Sequence, residues 1–325
     1  MNIELIGVLF LVAMLALIAI GIPIAFAMLA TATVGFFVVG GSLHAETQLV
    51  LNLMDRATSF PLTAIPLYIL MGQLVFRCGL ASDFYDCLYK WLGWLPGGLA
   101  IASVMAAGGF GAVSGGGVTA VATLGPTCIP EMQRYKYNRS LATGSIAAAG
   151  TLGALIPPSI FMIVYGVWTE TSIGALFIGG IVPGIIMMLV FAAIVFGMCV
   201  FKPELGPRGP SFTMGERVGS LVKLLPILLV FFTIIGGIYS GAFGPSEAAA
   251  VGVTGVLLIT LLMRRLTWTG IREAILNTMR TAAMVFVIIV AGHVIGRFIV
   301  LTDLTSNLVL LISHLDLPFL GLIAL

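Results

Sequence analysis

A chain of 325 residues that is 60% hydrophobic and 9% charged, with a mean hydropathy of +1.16, cannot cover an aqueous surface with polar groups, because soluble domains carry about 25% charged residues. A soluble enzyme, a nucleic-acid binder and a disordered protein are thereby excluded, and a net charge of +2 points to no acidic partner. Cys78, Cys87, Cys128 and Cys199 form no CxxC pair and have no histidine at ligand spacing, so they read as small apolar residues. What remains is an all-α polytopic membrane protein.

A helical crossing needs ~20 apolar residues. No charge occurs between Glu4 and Glu46, which leaves room for two spans broken at Gly21-Ile22-Pro23. Further spans are predicted at about Phe60 to Phe76, Leu141 to Trp168, Ile173 to Phe201, Leu224 to Ala242, Ala248 to Met263 and Ala282 to Leu301. That makes eight crossings, apart from an uncharged, glycine-rich stretch after Lys90. No lysine or arginine precedes the first apolar run, so it lacks the basic start of a cleaved signal peptide and is expected to stay as the first helix.

Basic residues cluster in three loops: Arg134, Lys136 and Arg139; Lys202, Arg208, Arg217 and Lys223; and Arg264, Arg265, Arg272 and Arg280. Placing these loops in the cytoplasm satisfies the positive-inside rule and puts Met1 on the periplasmic side of a bacterial-type inner membrane. Trp91, Trp94, Trp168 and Trp268 fall near the expected interfaces.

Between spans run amphipathic segments. Phe84, Leu88, Trp91 and Leu92 share a face against Asp83, Asp86 and Lys90; Ile271, Ile275 and Met279 recur at helical spacing; Leu304, Leu308, Leu311 and Leu315 form a third stripe. They fit helices lying in the membrane interface, or linkers docked on neighbouring spans. Pro23 and Pro245 each open a span, and Pro96 and Pro318 each precede an apolar run at the same separation. The order of elements between them repeats, and the topology inverts one copy relative to the other, the architecture of many secondary transporters. On this reading residues 1–96 are first-repeat scaffold helices and arms, 97–168 a transport element, 169–242 connecting spans and a cytoplasmic loop, and 243–325 an incomplete second-repeat scaffold. The counterpart of 97–168 is expected beyond Leu325, which makes the chain a C-terminally truncated form.

Residues Gly97 to Pro130 hold nine glycines, centred on Gly108-Gly109-Phe110-Gly111 and Ser114-Gly115-Gly116-Gly117. Each costs ~1 kcal/mol relative to alanine inside a helix. Flanked by apolar segments of half-span length, they read as a re-entrant hairpin whose tip reaches membrane depth, where non-helical backbone must be buried in protein or line a wet cavity. Two spans with glycines for close approach are the alternative. The run Gly150-Thr151-Leu152-Gly153-Ala154-Leu155-Ile156-Pro157-Pro158-Ser159 breaks the span that contains it, because neither proline has an N–H and each pushes its predecessor out of helical geometry. The alternative is a plain proline kink. Freed carbonyls and the hydroxyls of Ser114, Thr119, Thr151 and Ser159 are oxygen ligands for a small cation, and a helix N-terminus after the break suits a carboxylate.

Phe110-Gly111-Ala112-Val113-Ser114-Gly115, the string from Gly150 through Ile160, Tyr165-Gly166, and Gly244-Pro245-Ser246-Glu247-Ala248-Ala249-Ala250 resemble the large membrane subunit of TRAP (tripartite ATP-independent periplasmic) transporters. The resemblance covers essentially the whole chain. It implies a permease, not an enzyme, that couples Na+ to uptake of an organic anion, a carboxylate such as a C4-dicarboxylate or sugar acid, with no cofactor beyond the coupling ion. It also implies a periplasmic substrate-binding protein, a small four-helix membrane subunit and membrane lipid as partners, with no nucleic acid, and an elevator motion of the hairpin and broken helix. Carried over by position, the sodium and substrate site falls on Ser114, Gly115, Gly116, Gly117 and Thr119 of the hairpin, and on Gly150, Thr151, Gly153, Pro157, Pro158 and Ser159 of the break. Ser114, Gly115 and Thr151 are the expected Na+ ligands. Gly116 stands where the family usually has a second serine, which removes one hydroxyl.

Other readings remain. A re-entrant hairpin also builds ion channels, and Ser114 with His293 would make an intramembrane hydrolase, although the nucleophile-elbow spacing is absent. His293 and Arg297, one turn apart in the last span, are an intramembrane ionisable pair, or a residue snorkelling to the outer interface. Glu247 is expected to cap the helix that Pro245 opens.

Overall fold

The structure is a computed structural model that describes residues 3–57 and 59–313. Its regular secondary structure is entirely helical among these residues: α1 (Ile3–Ala19), α2 (Ile24–Ala57), α3 (Ala64–Arg77), α4 (Leu80–Leu92), α5 (Gly98–Ser114), α6 (Gly117–Arg134), α7 (Arg139–Gly150), α8 (Leu152–Leu155), α9 (Ile160–Thr169), α10 (Ile173–Phe201), α11 (Met214–Tyr239), α12 (Pro245–Leu262), α13 (Trp268–Leu301) and α14 (Leu304–Ser313). A 3-10 turn, Phe60–Thr63, leads into α3.

Among the described residues, seven helical segments are long and apolar enough to cross a bilayer: Ile24–Leu43, Phe60–Arg77, Arg139–Thr169, Ile173–Phe201, Met214–Tyr239, Pro245–Leu262 and Trp268–Leu301. The eighth predicted crossing, at the N-terminus, forms α1, an apolar helix of 17 described residues, at the short end of the roughly 17–25 that a crossing takes. Two boundaries differ from the hydropathy reading. α11 begins at Met214 rather than near Leu224, because Thr213 and Glu216 form a reciprocal capping box in which the Thr213 N–H donates to the Glu216 carboxylate at 2.8 Å. The third basic arm and the last span are one 34-residue helix, α13; no glycine or proline interrupts residues 271–283, so nothing stops the helix between them.

The chain divides into two compact units. The first, residues 1–59 and 283–325, is packed side chain against side chain. Phe298 is fully buried and meets Phe10 and Phe36 edge-on, each at 5.6 Å between ring centres, with Ile6, Ala32, Val294 and Ile295 closing the core. α2 bends at Gly41, whose φ of 78° lies in the left-handed region. Arg297 is exposed and His293 half-buried in this unit. The third amphipathic stripe begins α14, but Leu315, Leu317-Pro318 and the run Phe319 to Leu325 lie outside the described residues.

In the second unit, residues 60–282, α5 is the axis. It is buried along almost its whole length and packs against α3, α4, α6, α7 and α10. The predicted amphipathic arm forms α4, but the residues it buries are Leu80, Ala81, Tyr85, Cys87 and Tyr89, while Phe84, Leu88, Trp91 and Leu92 of the predicted face are half-buried. Asp83 pairs with Arg265 and Arg77 with Glu273, tying α3 and α4 to the residues after α12. α12 lies along α3: the Tyr68 hydroxyl donates to the Pro245 carbonyl at 3.1 Å, and the Glu247 carboxylate accepts the Gly244 N–H at 2.8 Å, the cap expected of it. All four cysteines are free and buried.

Candidate functional site

α5 and α6 are joined by two residues, Gly115 and Gly116. Gly115 adopts φ 69°, a conformation in which a side chain would be strained, and its N–H donates to the Gly111 carbonyl at 2.9 Å, closing α5. Gly116 is extended. Its carbonyl accepts the Ala120 N–H at 3.2 Å and the Ser114 hydroxyl at 3.4 Å. The turn therefore falls inside the predicted glycine tip.

The second break is present as well. α7 ends at Gly150, α8 is a single turn, and the chain leaves helical geometry at Ile156 (φ −81°, ψ 119°). Pro157-Pro158 is a cis bond, Ser159 is extended, and α9 starts at Ile160. The Ser159 hydroxyl reaches back to donate to the Ala154 carbonyl at 2.8 Å. Among the described residues no hydrogen bond reaches the carbonyls of Ile156, Pro157 or Pro158, because the prolines remove helical order on one side of them and the new helix begins on the other.

These two irregular segments meet. The Ile160 N–H donates to the Gly115 carbonyl at 2.9 Å, so the hairpin tip satisfies one of the first orphan donors of α9. Glycine is required on both sides of this contact. A Cβ on Gly117 would collide with the Gly150 carbonyl oxygen, one on Gly153 would lie 2.6 Å from the Gly117 nitrogen, and one on Gly111 would lie 2.9 Å from the Gly153 Cα. α3 passes equally close on another side, where a Cβ on Gly72 would lie 2.6 Å from the Ser114 Cα.

Ser114, Gly115, Gly116, Gly117, Gly150, Gly153 and Pro158 are thus brought together, with Ser114 and Ser159 fully buried. The Thr119 hydroxyl lies over Gly116, 3.6 Å from where its Cβ would be. Thr151 is exposed, and its hydroxyl donates to the Ala148 carbonyl in the last turn of α7 at 2.7 Å. Sequence reasoning missed Tyr68, Gly72 and Ile160, all against the tip; Gly72, the one glycine between Phe60 and Arg77, carried the same mark as the hairpin glycines. The apposed segments present hydroxyl and carbonyl oxygens and no charged side chain, a donor set suited to hard cations.

At the far end the hairpin's base is strapped down by residues 205–209. The Gly97 N–H donates to Gly206 at 3.0 Å, the Gly209 N–H to Gly93 at 2.8 Å and the Asn138 N–H to Leu205 at 2.9 Å. The Leu99 N–H donates to the Tyr137 hydroxyl at 3.2 Å, and burial pushes the Tyr137 phenol up to about 12.

A polytopic helical protein in which two broken elements share a backbone contact has the build of a secondary transporter. The chain matches the family described as "Tripartite ATP-independent periplasmic transporter, DctM component" over residues 11–325, and it belongs to that family, the large membrane subunits of TRAP transporters. It is 39% identical over 218 residues to the C4-dicarboxylate TRAP transporter large permease protein DctM of Pseudomonas aeruginosa, covering 67% of this chain and 51% of that one. It is 33% identical over 281 residues to the ectoine TRAP transporter large permease protein TeaC of Halomonas elongata, covering 86% and 65%. It is 31% identical over 324 residues to the sialic acid TRAP transporter large permease protein SiaM of Vibrio cholerae, covering 94% and 74%. The chain therefore spans between about half and three quarters of the length of these relatives.

Proposed function

We propose that this chain is the permease of a sodium-coupled uptake system for a small organic anion, a carboxylate. The anion is delivered by a periplasmic binding protein, and a small four-helix membrane subunit accompanies the permease. The observation that carries this reading is the contact between the hairpin tip and the broken helix, where the Gly115 carbonyl accepts from Ile160 beside the carbonyl of Pro158. Na+ binds among these oxygens and the hydroxyls of Ser114 and Ser159, with Thr119 and Thr151 at the margin. With one hydroxyl fewer at Gly116, backbone oxygens carry more of the coordination. The bound cation and the positive N-terminal end of α9 together favour a carboxylate beside them.

On this reading the hairpin is re-entrant, the fold is an inverted repeat with its N-terminus in the periplasm, and residues 97–168 travel as one transport element in an elevator motion. The close glycine contacts support that last point, since backbones in such contact move together or not at all. The named relatives differ in substrate, which fits selection by the binding protein rather than by this chain alone.

The test is uptake by the full-length permease with its partners in proteoliposomes under an imposed sodium gradient. Replacing Pro157 and Pro158 by alanine restores helical hydrogen bonding across the break and abolishes sodium dependence. Unchanged sodium-coupled uptake would reject the proposal.

A further inference from the structure

Away from the hairpin tip, α7 and α10 enclose a groove of about 290 Å³. Its walls are apolar, with Leu141 and Ala148 on α7 facing Phe191, Ile194, Val195 and Met198 on α10. Ile194 and Met198 are exposed on a helix apolar enough to cross the bilayer, so the groove is open to lipid. At one end it is closed by Asn138 and Leu205, which are joined by the Asn138 N–H to Leu205 hydrogen bond of 2.9 Å.

The segments that close that end carry cations next to the lining residues. Arg139 follows Asn138, and Lys202 directly follows the α10 wall, its N–H donating to the Met198 carbonyl at 2.9 Å. Arg134, Lys136 and Arg208 lie on the same two segments. All five are exposed, and among the described residues none is in an ion pair. The acidic residues nearest them in the chain are Glu204, between Lys202 and Arg208, and Glu131, one turn before Arg134 at the end of α6. Arg139 also stands in the first turn of α7, where a cation opposes the helix dipole. Helix stability does not explain it.

An apolar slot open to the bilayer with a cluster of unpaired cations at its head matches one kind of molecule in shape and charge. We propose that this groove is a built site for an anionic glycerophospholipid, its acyl chain between α7 and α10 and its phosphate at Arg139 and Lys202. The site is separate from the transport reading and does not depend on it.

Gly144 supplies the test. It lines the groove, and a Cβ there meets nothing within 4 Å, so Gly144→Leu fills the slot while improving helix propensity. The full-length permease is placed in nanodiscs of equal parts phosphatidylcholine and phosphatidylglycerol with identical chains, extracted in mild detergent, and its retained lipids are counted by native mass spectrometry. The wild type keeps phosphatidylglycerol in preference to phosphatidylcholine. The pair Arg139→Gln and Lys202→Gln lowers phosphatidylglycerol retention by at least about tenfold, and Gly144→Leu lowers it equally with an unfolding temperature no lower than wild type. The proposal is overturned by equal retention of the two lipids in the wild type, by full retention in either variant, or by loss of the lipid when the small membrane subunit is added, which would make the groove a protein interface.

Discussion

In the unit built from α1, α2, α14 and the second half of α13, helices are held by aromatic side chains: Phe298 sits between Phe10 and Phe36. In the hairpin and broken helix the side chains are gone, and Gly111, Gly117, Gly150 and Gly153 bring backbone onto backbone. The two kinds of contact fail differently. A side-chain core loses stability when atoms are removed and relaxes partly around added ones. A backbone contact has nothing to remove and no rotamer to change, so one added carbon separates the partners. What the second kind gives in return is position: carbonyl oxygens fixed by main-chain geometry, as an ion site requires.

The largest effect is expected from the first unit. Phe298→Ala should destabilise it by about 3 kcal/mol, seen in hydrogen exchange as faster amides in α1, α2 and the second half of α13 while the hairpin stays protected. Next comes the opposite operation. Gly117→Ala should cost about 2 kcal/mol because its Cβ runs into a carbonyl that cannot rotate away, and the loosened amides should be those of α6 to α9. Gly35→Ala is the matched control: the nearest atoms its Cβ would meet are side-chain atoms, the edge of the Phe298 ring, and a side chain relaxes where a carbonyl held by the main chain does not, so about 1 kcal/mol is expected. Should Gly35→Ala prove as damaging as Gly117→Ala, the distinction between the two kinds of contact would be lost.

Much of this was legible in the chain itself. The spans followed from charge-free apolar runs, and both breaks fell where glycine clusters and paired prolines put them. The Gly111–Gly153 and Gly117–Gly150 pairings were not legible, since a glycine announces that something comes close without saying what. Nor could α13 be read as one helix, because an amphipathic arm and an apolar span differ in hydropathy while their backbones are identical. The two segments of the candidate site were legible from their glycines, prolines and hydroxyls, but not which carbonyls face one another: every residue has a carbonyl, so ligands of this type leave no trace in residue identity. Tyr68 and Gly72 were missed because α3 reads as an ordinary span until its packing against Ser114 is seen.

The smallest effect concerns a third kind of contact. Asp83, at the start of α4 and largely buried at 16% side-chain exposure, pairs with Arg265, which is 36% exposed. Partial exposure admits solvent and counterions, so a double-mutant cycle with Asp83→Asn and Arg265→Gln should give a coupling of about 0.5 kcal/mol at low salt. At 1 M salt, where screening acts within about 3 Å, that coupling should largely vanish, and with it any contribution from Arg77 and Glu273. The Gly115–Ile160 contact carries no net charge, and its protection should not change over the same range. A hairpin whose exchange accelerated with salt would mean that the tip is held in place by the ion pairs of α3 and α4 at a distance, and not by the main-chain contact it makes with α9.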